Sequence, residues 1–189
     1  MVNEVLRYLI TNEDGIYVDG TLGDGGHSLE ILKNFDNVKI IGIDEDYDAL
    51  NTASKKLSLF GNRITLVCGN FANLESLVRE EVGIMYVNGV LLDIGLRQEV
   101  VDDPERGFSF LRDGPLDMRF DKRSQRTAYI VVNRYSQKRL AEIFKNYGDV
   151  KKSRHIAEAI VSARKRSPIA TTGELAQIIK SLFPPSAVK

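Results

Sequence analysis

The chain has 189 residues, 43% hydrophobic and 28% charged, a composition of soluble globular proteins and a length for one domain, or one domain with an appendage. Cys68 is its single cysteine, which excludes an internal disulfide and points to an intracellular setting; no apolar run approaches the roughly 18 residues of a membrane span, and the start, Met1-Val2-Asn3-Glu4-Val5, lacks a signal-peptide pattern. The net charge of zero conceals an asymmetry: residues 1–118 hold 10 Lys and Arg against 21 Asp and Glu, net −11, whereas residues 119–166 hold 14 against 4, net +10. An acidic first part joined to a basic second part reads either as two compensating solvated faces or as a division of labour with a polyanion-binding surface.

Residues 3–10 read as a helix with Val5, Leu6 and Leu9 on one side, and Asn12-Glu13-Asp14-Gly15 as a turn. Ile16 to Val18 is the first strand. The glycine-rich turn Asp19-Gly20-Thr21-Leu22-Gly23-Asp24-Gly25-Gly26-His27 follows, then a helix to about Lys33. Val38–Ile43, Arg63–Val67 and Val87–Leu92 are three further short apolar runs, with helical patterns over 47–59 and 72–80 between them. Strands alternating with helices predict a parallel sheet with helices on both faces, a Rossmann-like doubly wound unit. Residues 96–118 read as a long functional loop. From Thr127 the pattern is helical: Leu140, Ile143, Phe144 and Tyr147 form one stripe that stops at Gly148, and Ile156, Ile160 and Ala163 form another. Thr171-Thr172-Gly173-Glu174 fits a capping box before a last stripe that Pro184-Pro185 ends.

In such sheets ligands sit beyond the carboxyl ends of the strands. Here the four ends carry Asp19 with the glycines, Asp44, Asn70-Phe71 and Asp93. Asp44 lies 19 residues beyond Gly25, the spacing of an acid that accepts from ribose hydroxyls, and Phe71 offers an aromatic plane to a base. One acid at a strand end is as readily a turn or cap residue; four aligned ends point to a nucleoside site. Asp19 and Asp24 disfavour a pyrophosphate and suit a cationic sulfonium and an amino group, as in S-adenosylmethionine; a nicotinamide-binding dehydrogenase unit is the alternative. Gly23 and Gly25, four and six residues after Asp19, match the class I methyltransferase turn, with Thr21 where that pattern has its first glycine. No metal site is expected.

The turn Asp19–Ser28 resembles the signature of the RsmH (MraW) family. So do Gly42-Ile43-Asp44, Gly69-Asn70-Phe71 and Gly89–Gly95, and above all Glu105-Arg106-Gly107-Phe108-Ser109-Phe110 with Asp113-Gly114-Pro115-Leu116-Asp117-Met118-Arg119. Thr127-Ala128, Val132-Asn133, Tyr147-Gly148, Ile156-Ala157 and Pro168-Ile169 follow in the family's order, so the resemblance covers essentially the whole chain. It implies a class I methyltransferase sheet, incomplete here, with a helical insertion domain, and an enzyme that methylates the N4 amine of one cytidine in the decoding region of small-subunit rRNA. It implies that Gly25, Gly26 and His27 contact S-adenosylmethionine, that Asp44 holds its ribose, that Phe71 lies along the adenosine and that Asp93 lines the pocket near the methionine part; Asp19 and Gly23 join them from the turn. Residues 1–118 are thus expected to bind the cofactor and residues 119–189 to form a basic helical domain for RNA.

Arg119, Lys122, Arg123, Arg126, Lys151 and Lys152 are the candidate RNA contacts, with Arg154 beside them. Asp93 and Asp117 are both candidate acceptors for the cytidine amine. His27, at a helix N-terminus, reads as positional rather than as a base; His155 reads as surface or helix packing and Cys68 as strand core. Two departures stand out. The family's Ser-Ser-x-Gln segment after the fourth strand is Leu96-Arg97-Gln98-Glu99-Val100 here, with Val100 in place of a cofactor-contacting Gln. The family also continues past the helical insertion, and begins slightly earlier, so the chain is expected to be either a truncated product or a short form that dimerises or binds a partner, its fourth strand an unpaired edge. The competing functions are a non-catalytic cofactor- or RNA-binding relative and a structural assembly factor of the small ribosomal subunit. Bacterial cytoplasm and mitochondrial matrix both fit, the ending Leu182–Ala187 resembling mitochondrial relatives.

Overall fold

The computed structural model describes residues 2–184, so Pro185–Ala187 of the tail lie outside the described residues. The chain divides into two compact units, Met1–Gly95 and Leu96–Lys189.

The first unit is an α/β unit. Its strands β1 (Ile16–Asp19), β2 (Lys39–Asp44), β3 (Ile64–Cys68) and β4 (Gly89–Leu91) form one parallel sheet in the order β3-β2-β1-β4. This is a Rossmann-like sheet, with β1 central and the chain running outward first to one edge and then to the other. Alternation along the strands divides the core between two clusters. Tyr17 and Ile40 pack with Ile31 and Leu32 of α2 (Gly26–Asn34) and with Leu50, Ala53 and Leu57 of α3 (Tyr47–Leu57). Val5, Leu6 and Leu9, in and just after α1 (Val2–Tyr8), pack against that cluster. Val18, Ile41, Ile43 and Val67 pack with Leu77 and Val78 in the second. The helix expected over 72–80 is shorter and irregular: α4 (Leu74–Ser76) runs into a π-helical turn at Leu77–Glu81, which brings Leu77 and Val78 onto the sheet. Among the described residues β4 pairs with β1 alone, and Val90 within it and Leu92 just after it are 42% and 44% exposed.

The second unit is helical: α5 (Gln98–Asp102), α6 (Ala128–Arg134), α7 (Gln137–Gly148), α8 (Ser153–Arg164) and α9 (Thr172–Lys180). Leu116, Val132, Leu140, Ile156, Ala157, Ile160 and Ile169 form its core. Thr127, Ser136 and Thr171 cap α6, α7 and α9, the last through the expected capping box with Glu174. α7 ends at Gly148 as expected, but Gly148 is not the left-handed cap. The left-handed residue is Asp149, at φ 50, which a short polar side chain tolerates. Residues 96–118 group with the helices, although composition placed them with the sheet. The reason is backbone pairing: Leu116 N–H donates to Ala170 O at 3.0 Å, Thr172 N–H to Gly114 O at 2.9 Å and Tyr129 N–H to Leu116 O at 2.6 Å. The loop forms an isolated bridge, Pro115 to Thr171, and places Leu116 in the helical core. Among the described residues no helix is long and apolar enough to cross a membrane.

Candidate functional site

The glycine turn joins β1 to α2 and is bonded to the ends of the neighbouring strands. Gly25, at φ 75, precedes α2, and a Cβ there would lie 2.8 Å from Leu57 Cδ1, so both conformation and packing require glycine. Gly20 N–H donates to Leu91 O at 2.9 Å and Leu22 N–H to Ile43 O at 3.0 Å, tying the turn to β4 and β2. Side chains complete the attachment. Asp44 accepts from Gly23 N–H through Oδ2 and from Asp46 N–H through Oδ1, both at 2.8 Å. Thr21 Oγ1 accepts the Asp93 N–H at 2.7 Å. That bond explains the threonine where the usual turn has a glycine: its hydroxyl holds the residue that ends β4. Residue type alone would not have shown this, because the partner is 72 positions away.

The acids of this unit differ in environment. Asp19 is 3% exposed and accepts from Ser28 Oγ at 2.7 Å through Oδ2, while Oδ1 is buried without a hydrogen-bond partner among the described residues. Burial pushes its carboxyl above the usual range, against the Ser28 hydrogen bond. Asp19 therefore lies beneath the turn, bracing β1 to α2, rather than at its mouth. Asp93 is open: its side chain is 44% exposed and its Oδ2 lies 3.2 Å from His27 Nε2. His27 Nδ1 is buried and has no partner among the described residues. The fitting tautomer therefore carries its hydrogen on Nε2 and donates it to Asp93, leaving no buried N–H unmatched. Asp24 and Asp44 are half-buried, and Gly26 is exposed. Phe71 is 38% exposed, its Cβ 3.4 Å from where a Cβ on Gly20 would stand. The preceding Asn70 is fixed by accepting from Ala72 N–H at 2.7 Å and donating to Glu45 Oε1 at 2.6 Å. Asp44, Asp93 and His27 are thus held around one turn by hydrogen bonds, and Phe71 packs beside it. The arrangement offers carboxylates to hydroxyls or to a cation, an aromatic face, and one exposed acceptor.

In the helical unit two of the candidate arginines are committed to neighbouring aspartates. Arg119 donates through Nε and Nη2 to the two oxygens of Asp117, at 2.9 and 2.6 Å, and through Nη1 to the carbonyls of Lys122 and Ser124. The Arg119 hydrogen bond holds the Asp117 carboxyl below its usual range. Arg123 grips Asp121 in the same way and lowers its carboxyl. Asp113 accepts from Gly173 N–H at 2.7 Å, which lowers its carboxyl and fastens the loop to the start of α9. Gly107 turns this loop at φ 67; a Cβ there would lie 2.0 Å from Pro115 O. Arg126, Lys151 and Lys152 are exposed, with Lys152 Nζ 5.1 Å from the Phe183 ring. Val100 is 4% exposed on α5, where Gln98 donates to Asp102 at 3.1 Å. His155 is exposed and Cys68 half-buried at the end of β3.

A model of the MraW methylase family matches residues 1–189. The chain is 45% identical over 185 residues to the ribosomal RNA small subunit methyltransferase H of Clostridium botulinum (strain Loch Maree / Type A3), covering 97% of this chain and 59% of that protein. It is 45% identical over 187 residues to the protein of the same name from Carboxydothermus hydrogenoformans, covering 99% and 60%. The chain thus spans about 60% of the length of these relatives. A solved rRNA methylase from Streptococcus thermophilus aligns at 27% identity over 42% of this chain and 46% of that one, with a TM-score of 0.34; the fold assignment rests instead on strand order.

Proposed function

The chain belongs to the MraW methylase family, and on that premise we propose that it uses S-adenosylmethionine to methylate the N4 amine of a cytidine in small-subunit rRNA. The observation that carries the reading is the pairing of Asp44 and Asp93 around one glycine turn, the first held by Gly23 N–H and the second by Thr21 Oγ1. The residues fit the cofactor by their chemistry. Half-buried Asp44 suits ribose hydroxyls, Phe71 suits an adenine face, and the carboxylates suit a sulfonium and an ammonium while repelling a pyrophosphate. Gly23, Gly25 and Gly26 would bring backbone close to it, with His27 at the start of α2. When bound, the cofactor supplies an electrophilic methyl group.

The protein's part is orientation and proton handling. The N4 amine is a weak nucleophile because its lone pair is delocalised into the ring. An acceptor on one amine N–H raises electron density on the nitrogen, makes its lone pair less delocalised into the ring and holds the nitrogen in line. Asp93 is the acceptor of choice: His27 engages Oδ2, leaving Oδ1 for the amine, and the carboxylate can take the proton released on methylation. Asp117, the other candidate, has both oxygens on Arg119. In this reading the first unit binds the cofactor and the second unit binds RNA on an assembling small subunit.

Two measurements test it. Calorimetry should show S-adenosylmethionine binding that Asp44→Ala weakens at least tenfold. Labelled methyl should pass from the cofactor to small-subunit rRNA or immature subunits. Cofactor binding without transfer would make the chain a binding relative, and no binding at millimolar cofactor would overturn the proposal.

A further inference from the structure

The sequence directs attention to Arg119–Arg126 as the RNA contact, yet Arg119 and Arg123 are bonded to Asp117 and Asp121. Arg164 is likewise committed, donating to the Val132 and Tyr135 carbonyls at the end of α6. The cations left for a polyanion are therefore others, with Arg126, Lys151 and Lys152 among the exposed ones. Along α7, Lys138, Ala141, Glu142 and Lys145 follow i, i+3, i+4, i+7 spacing and share one face. With Arg154 in the first turn of α8 they line a groove of about 680 Å³. Lys138, Lys145 and Arg154 are exposed, and among the described residues none of the three makes an ion pair, a side-chain hydrogen bond or a ring contact. Seven residues of helix separate the two lysines by about 10 Å, room for more than one phosphate. Glu142 is the carboxylate in the lining, and Asn146 adds a neutral amide.

We infer that this α7–α8 groove is the phosphate-binding surface for the RNA backbone, and that Arg119 and Arg123 instead build the loop before α6. The inference rests on the substrate being RNA. Three cations converging on one groove without protein partners carry an attraction that folding has not neutralised. A polyanion meets that charge by releasing its counterions, whatever its sequence. Arg154 suits bidentate contact with a phosphate, and the lysines act as point charges. Glu142 opposes an anion in the same groove, so its neutralisation should act in the opposite sense.

The test is filter binding of the full chain to a decoding-region rRNA fragment and to an unrelated single-stranded RNA of equal length, across a salt series. The variant Lys138→Ala/Lys145→Ala/Arg154→Ala should lose at least tenfold affinity at about 100 mM salt on both RNAs. Its log–log salt slope should shrink by about 2, near 0.7 per lost contact on single strands. Glu142→Gln should bind about twofold more tightly, and Arg123→Ala should change affinity less than twofold. Calorimetry with S-adenosylmethionine and an unchanged thermal transition show that the triple variant is folded. RNA binding and salt slope retained by the triple variant, or an equal loss in Arg123→Ala, would overturn the groove alone. A parent chain that binds cofactor but no RNA at low salt would overturn the RNA reading and the groove together.

Discussion

The β1–α2 turn and the 105–126 loop use the same residue types in opposite ways. Both carry aspartates in or beside them and left-handed glycines, Gly23 and Gly25 in the turn and Gly107 in the loop. Around the turn, the Asp44 carboxylate accepts from backbone N–H groups, the Asp93 carboxylate meets the His27 imidazole while its backbone N–H donates to Thr21 Oγ1, and among the described residues no arginine forms a hydrogen-bonded pair with either. In the loop, Asp117 and Asp121 are gripped by Arg119 and Arg123, and Asp113 by the Gly173 N–H. Around the turn the carboxylates keep their charge for a ligand; in the loop Asp117 and Asp121 are taken up by guanidinium groups and Asp113 by the start of α9, so all three hold the loop in shape. What an aspartate does here depends on its partner and on what that partner fastens.

The largest effect should come from the loop. Gly107→Ala places a Cβ 2.0 Å from Pro115 O at φ 67, which should cost about 3 kcal/mol or more in urea unfolding. It should leave cofactor affinity of the folded fraction unchanged. Asp93→Asn should next lower methyl transfer by about 100-fold with stability nearly unaltered, whereas Asp117→Asn should lower stability and leave single-turnover chemistry on bound RNA within a few-fold. Equal kinetic losses in the two variants would abolish the contrast. Thr21→Val removes the acceptor of the Asp93 N–H and should cost about 1 kcal/mol, visible as a lower thermal midpoint and a several-fold weaker calorimetric affinity for S-adenosylmethionine.

The smallest effect concerns pH, and its two parts have opposite signs. Asp117 titrates below its unfolded value because of Arg119, so its contribution is present above the unfolded pKa and is lost as pH falls through the folded one. Asp19 titrates above its unfolded value because of burial, so stability falls as pH rises from the unfolded pKa to the folded one. Urea titrations of Asp117→Asn and Asp19→Asn should therefore diverge from the parent in opposite directions between acid and neutral pH. Parallel curves would show that the two carboxylates share one environment.

Much of the fold was legible because burial writes a periodic pattern. The apolar runs at 16–18, 38–43 and 63–67 became β1 to β3 within a residue or so, and the capping box at Thr171 formed as spaced. Local irregularity was not legible: the π-helical turn at Leu77–Glu81 and the left-handed Asp149 depend on packing and capping that residue type does not encode. Residues 96–118 look like an extension of the acidic half, yet their backbone partners are Ala170, Thr172 and Tyr129, far along the chain.

From the sequence alone come the order of strands and helices, the acid at three of the four strand ends, the family resemblance and the uneven charge, because each is local or a count. Tertiary structure decided which aspartates and arginines remain available. Thr21 reaches Asp93 and His27 faces it; Asp19 sinks against Ser28, and Arg119 closes on Asp117 while Lys138, Lys145 and Arg154 stay open. The physical reason is that a charged side chain acts on a ligand only where folding leaves it without a stronger partner, and while Arg119 and Arg123 find theirs two residues away, the partners of Asp44, Asp93 and Asp113 come from distant turns and helices.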